Sequence, residues 1–143
     1  MRDVFTKSKR SEVMSLIRSK GNRETELEMI RIFRSNGITG WRRDQIVRLD
    51  TQTDTLRVRP DFVFRAKRIA VFVDGEFWHG HPTRSRFPRT RREWWTAKIE
   101  GNKHRDRIQN RALRTAGWIV LRMWQFELRT SAVMRKLRKG GLL

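Results

Sequence analysis

Apolar positions along this chain switch between helical and strand-like spacing, and the switches outline alternating helices and strands. Residues 11–19 are predicted to form a short basic helix with Val13, Leu16 and Ile17 on one side, after a polar arm. A second helix, capped by Asn22 or Thr25, carries Leu27, Ile30 and Phe33 at helical spacing and ends at Gly37. An extended stretch follows Gly40, and then a polar loop around Asp50 to Thr55. Strands are expected at about 57–64 and 68–74. In the second, Ile69-Ala70-Val71-Phe72-Val73 is apolar without alternation, the pattern of a strand covered on both faces. The run Thr90-Arg91-Arg92-Glu93 has the form of a capping box for a long helix that reaches Ala116, with Gly117 in the stop position. Trp118 to Trp124 is predicted as another buried strand and Thr130 to Lys139 as a last helix. This order gives an α/β sandwich, a central sheet flanked by helices.

Charge narrows the partner. The chain has 34 Lys+Arg against 15 Asp+Glu, a formal charge of +19 on 143 residues, well beyond what solubility requires. The basic residues run from Arg2 to Lys139, so the folded body itself carries the positive potential and a polyanion is the expected ligand. Passive nucleic-acid binders share this charge. One domain over residues 1–143 is expected, with a basic arm and helix at about 1–20. An apolar content of 37%, with six Trp and eight Phe, supplies its core. There is no Cys, which excludes a disulfide framework and a thiolate zinc site. No apolar stretch has membrane-spanning length and the first residues lack a signal-peptide pattern, so the expected compartment is the cytoplasm, with the nucleic acid.

Candidate chemistry gathers around Asp61. Pro60 cannot donate to a sheet ladder, so an acid beside it sits where the strand is irregular or at an edge and can face a cleft. The bland alternative is a strand-end Asp satisfied by backbone amides. The neighbouring strand ends in Asp74, followed by Gly75, which permits close approach of backbone to a ligand. Two carboxylates at neighbouring strand ends, with backbone carbonyls between them, suit Mg²⁺, which prefers a few protein oxygens and several waters. His79 is the candidate proton acceptor, because the imidazole pKa lies near operating pH.

The motifs in order are Arg10-Ser11-x-x-Met14, Arg59-Pro60-Asp61-Phe62-Val63, Val71-Phe72-Val73-Asp74-Gly75-x-Phe77-Trp78-His79-Gly80-His81, Trp95-x-x-Lys98-Ile99-x-x-Asn102, Arg105-Asp106 and Gly117-Trp118-x-Val120-Leu121-x-x-Trp124. Together they resemble the very short patch repair endonucleases over nearly the whole chain. That resemblance implies a core similar to type II restriction endonucleases of the PD-(D/E)xK kind, with a central mixed sheet. It also implies Mg²⁺-dependent nicking of one strand of duplex DNA beside a T·G mismatch. Carried over by motif, Asp61 would be the metal-binding acid, the Val73 carbonyl a second metal ligand, His79 the catalytic imidazole and Glu26 an acid that holds the water network. Asp74 would be a second acid or a hydrogen-bond partner. The lysine usual in restriction enzymes of this fold is replaced by Gly75, as in the family.

The same resemblance gives the aromatics a role. Phe77, Trp78 and Trp95 would wedge into the base stack from the major groove, while the N-terminal helix with Met14 and Ile17 approaches from the minor groove and Arg10 also binds DNA. Wedging costs a few kcal/mol of unstacking per step and is cheapest where pairing is already imperfect. Trp118 and Trp124 are expected in the core. The family's structural zinc, bound by three Cys and one His, is not expected here, because the matching positions are Glu76, His81, Thr83 and Phe126. Phe126 and Phe87 would pack where the metal sits in the family. Three functions compete: a mismatch-directed nicking enzyme of the bacterial nucleoid, a restriction or defence endonuclease guided by site or modification, and a catalytically silent DNA-binding module. The expected partners are duplex DNA and a mismatch-repair or defence-system protein, with the chain itself a monomer.

Overall fold

A computed structural model describes residues 24–75 and 91–143. The helix predicted over 11–19 lies outside them, as do Arg10, Met14, Ile17 and the segment from Glu76 to Thr90.

Helix α1 covers residues 24–35 and buries Met29, Ile30 and Phe33. It stops where predicted. Gly37 takes φ 67°, Ile38 N–H donates to the Phe33 carbonyl at 2.9 Å and Gly37 N–H to that of Arg34 at 3.3 Å, the paired bonds that close a helix on a left-handed residue. Leu27 departs from the expected stripe and is 47% exposed. The buried stripe centres on Met29, Ile30 and Phe33, and at 3.6 residues per turn Leu27 points roughly 160° from Met29.

Strands β1 (Val47–Asp50) and β2 (Thr55–Val58) form an antiparallel hairpin in which Val47 faces Val58, Arg48 faces Arg57, Leu49 faces Leu56 and Asp50 faces Thr55. Among the described residues a second sheet joins β3 (Phe62–Phe64), β4 (Ile69–Asp74) and β5 (Ile119–Trp124) in that order, antiparallel between β3 and β4 and parallel between β4 and β5. The sheet is therefore mixed, as expected. The single strand predicted over 57–64 is instead two, broken at Arg59-Pro60-Asp61, since Pro60 has no N–H for a ladder and the chain changes sheets there.

Helix α2 (Arg92–Thr115) has Arg91 at its N-cap, in the left-handed conformation at φ 57° with no side-chain cap bond; Thr90, expected to open a capping box, lies outside the described residues. Its far end follows the prediction, with Gly117 at φ 89° and Trp118 N–H on the Leu113 carbonyl at 2.9 Å. Helix α3 (Ser131–Lys139) is capped by the Thr130 hydroxyl, which accepts from Ala132 N–H.

β4 is covered on both faces, as its unbroken apolar run requires. Ile69 and Val71 join a cluster with Met29, Phe33, Phe62, Phe64, Met123 and Leu137, the side of α1 and α3. Ala70 and Phe72 join Val47, Leu49, Val58, Val63 and Leu113, the side of α2 and the hairpin. β5 is less buried than predicted. It pairs with β4 alone among the described strands, leaving Ile119 45% exposed and Trp118 and Trp124 partly exposed. No helix among the described residues is long and apolar enough to cross a membrane.

Candidate active site at the β3–β4 edge

The break before β3 places Asp61 against the next strand. Phe62 pairs with Val71, so continuing the register by two residues would set Pro60 opposite Val73. Val63 turns its N–H and carbonyl to Arg42, both bonds at 2.9 Å, so Phe62 and Phe64 use theirs toward β4, and Val71 and Val73 face β3 in return. Pro60 has no N–H to give the Val73 carbonyl. The Val73 N–H is taken instead by the Asp61 carboxylate, at 2.7 Å to Oδ2. A carboxylate and a main-chain carbonyl deprived of its ladder donor thus meet at one sheet edge.

This donor set is all oxygen, which fits a hard divalent ion that keeps most of its waters. Among the described residues no three His, Asp or Glu side chains cluster as a metal centre, and a site of one carboxylate, one carbonyl and waters needs none.

Glu26 lies on the buried stripe of α1, three, four and seven residues before Met29, Ile30 and Phe33. Phe33 packs edge-on against Phe62 at 5.1 Å between centroids, and Glu26 Oε2 accepts from Arg43 at 2.5 Å. Because Arg42 is bridged to Val63, this ion pair ties α1 to the segment alongside β3.

Asp74, at the end of β4, is 7% exposed and joins a network on the α2 side of the sheet. Arg122 of β5 donates through Nη1 to both Asp74 oxygens, at 3.1 and 3.2 Å, and through Nε to Asn110 Oδ1 at 2.6 Å. The same Nη1 is 3.6 Å from Asp106 Oδ1, and the guanidinium carbon lies 4.0 Å from the centroid of the Phe72 ring. Nη2 is buried with no hydrogen-bond partner among the described residues. The Asp74 carboxylate is thereby fixed in place by two charge-assisted hydrogen bonds from one guanidinium nitrogen.

Sequence reasoning missed Arg122, although a signal was present: one charge in the apolar run Ile119 to Trp124 demands a buried partner. No comparable signal marks Arg43. On α2, Trp95 is 7% exposed and Trp94 36%, their rings edge-on at 4.7 Å. Entry of Trp95 into a base stack therefore requires its ring to leave the packing it has in the DNA-free chain. His79, Phe77 and Trp78 lie outside the described residues, with Glu76, His81, Thr83 and Phe87. Phe126, which is described, is partly buried and lines an open cleft with Leu27, Leu128 and Arg129.

Comparison with known proteins gives the arrangement a lineage. Residues 2–85 match the family described as DNA mismatch endonuclease Vsr. The DNA mismatch endonuclease Vsr of Escherichia coli K12 is 37% identical over 130 residues, 90% of this chain and 77% of that protein. Type II nicking enzyme V.XorIIP of Xanthomonas oryzae pv. oryzae is 36% identical over 129 residues, 90% of this chain and 88% of its own. Type II nicking enzyme V.NaeI of Lentzea aerocolonigenes is 44% identical over 93 residues, 65% of this chain and 54% of that protein. Matched over more than half its length by the family and over nine-tenths by full-length relatives, the chain belongs to the DNA mismatch endonuclease Vsr family and is a DNA endonuclease.

Proposed function

We propose that the chain nicks one strand of duplex DNA beside a T·G mismatch, using Mg²⁺ on a restriction-endonuclease-like core. The observation that carries the reading is the seat of Asp61 on the Val73 amide, beside a carbonyl that Pro60 cannot cap. Asp61 and the Val73 carbonyl would hold the ion, which when bound polarises a phosphodiester oxygen and lowers the pKa of a water. His79 takes the proton of the attacking water on an imidazole nitrogen. Glu26, steadied by Arg43, accepts hydrogen bonds from waters around the nucleophile. Asp74, fixed by Arg122, supplies negative charge behind the site without moving. Met14 and Ile17 approach from the minor groove, Arg10 also binds DNA, and Phe77, Trp78 and Trp95 wedge into the stack.

Labelled duplexes carrying each mismatch, with matched controls, are incubated with Mg²⁺ and read for nicks on each strand. The expected result is a nick on one strand of the T·G duplex, none on T·A, and none without Mg²⁺. Trp78→Ala is expected to weaken binding of T·G more than of T·A, lowering discrimination about ten-fold, since stacking is worth about 1–3 kcal/mol per base. Equal losses on both duplexes from a folded variant would sink the wedge.

A second reading has its own support. Relatives aligned over most of this chain carry the name type II nicking enzyme, which favours nicking directed by site or modification. Cleavage of a fully paired duplex in the same panel would select it.

A further inference from the structure

The outer face of the β1–β2 hairpin carries charge that the fold does not use. Its inner face, Val47, Leu49 and Val58, is buried against the sheet, so Arg48 and Arg57 project outward from directly paired positions. Side chains so paired start about 5 Å apart, and like charges there destabilise the hairpin. Among the described residues no carboxylate relieves them. Neither guanidinium makes an ion pair or hydrogen bond among the described residues, and Asp50, next along the same face, accepts from the Thr55 hydroxyl at 3.2 Å. Arg59 extends the row.

The row points at the candidate site. From Leu56 to Phe62 the even positions are buried or partly buried, with Val58, Pro60 and Phe62 fully so, whereas Arg57 and Arg59 are exposed and Asp61 is partly exposed. Alternation therefore survives the break between sheets and puts Arg57, Arg59 and Asp61 on one face of the chain. Four residues of extended chain span at most about 14 Å, and B-DNA carries one phosphate per about 3.4 Å of axis on each strand. A duplex whose scissile phosphate sits at Asp61 thus brings several phosphates within reach of the hairpin.

We propose that Arg48, Arg57 and Arg59 form a phosphate clamp on the DNA strand flanking the cut, a role that rests on the endonuclease reading above. The clamp reads backbone charge and no base. An anion between Arg48 and Arg57 converts their repulsion into two charge-assisted contacts.

The test uses the full chain, with duplex binding measured across a salt series in the absence of divalent metal. Arg48→Gln with Arg57→Gln is expected to reduce the slope of log K against log salt by about 2, equally for T·G and T·A duplexes. The wild type's affinity advantage is then about ten-fold larger at 50 mM than at 200 mM salt. A charge-matched control, Arg135→Gln with Arg138→Gln on the opposite layer, is expected to leave the slope near its wild-type value. The free hairpin variant should melt no earlier than wild type, because a repulsive pair is gone. An unchanged slope, a slope loss matched by the control, or earlier melting would each overturn the clamp. Because no cleavage enters these measurements, a wild type that nicks nothing with Mg²⁺ would defeat the endonuclease reading and leave the clamp to be judged on its own slopes.

Discussion

Asp61→Asn is expected to bind duplex DNA as the wild type does, to melt near the wild-type temperature, and to cleave about a thousand-fold more slowly with Mg²⁺. The rate follows from charge. A bound ion supplies several kcal/mol of transition-state stabilisation, and losing about 4 kcal/mol of it is about three orders of magnitude in rate. The retained stability follows from the 2.7 Å bond to Val73 N–H, because the Asn carbonyl can accept from the same amide. Asp61→Ala separates the two roles. It loses the same charge and also strands that N–H, so it should cost a further 1–3 kcal/mol or so of folding stability. Single-turnover cleavage, binding and thermal melts of the two variants measure these separately. Wild-type turnover by Asp61→Asn would remove Asp61 from the catalytic centre.

Arg122→Met is expected to produce the largest loss of stability, about 3 kcal/mol, or a melting temperature lower by about 10 °C. Side-chain exposures of 17% for Arg122 and 10% for Asp74 mean that removing the guanidinium leaves carboxylates in low dielectric beside Phe72. Truncating one partner of a buried pair costs far more than replacing both. Asp74→Asn added to Arg122→Met should therefore recover about half of the loss, since no buried charge then stands without its cation. Arg122→Lys should fall between, because an ammonium cannot reach Asp74 and Asn110 together as the planar fork does. Melting of Arg122→Met within about 1 °C of wild type would show that the network contributes little.

Both predictions turn on an acid at a strand end, Asp61 before β3 and Asp74 at the close of β4, and the sequence was informative about the two in unequal measure. Asp61 was marked by the proline before it, since a residue without an N–H can be read directly as a place where a ladder stops. The split of the predicted strand 57–64 at that proline was not legible, because Val58 and Phe62 are both apolar and only their partners, Val47 and Val71, show that they belong to different sheets. Asp74 was legible as an acid at a strand end but not as the anchor of an ion pair, since Arg122 is 48 residues away and reaches it through parallel pairing of β4 and β5. The left-handed N-cap of α2 at Arg91 was not legible, since a positive φ at Arg is not a residue preference.

Local chemistry was determined by the sequence itself: the apolar run of β4, the helix stops at Gly37 and Gly117, the basic charge and the candidate acids all depend on side-chain type and short spacing. Tertiary structure alone decided which groups meet. It set the Val73 amide on Asp61, Arg43 on Glu26 and Arg122 between Asp74 and Asn110. The physical reason is range. Periodicity and capping act over a few residues, whereas an ion pair across a sheet depends on strand order and register, which are set by how two apolar clusters close on either face of β4.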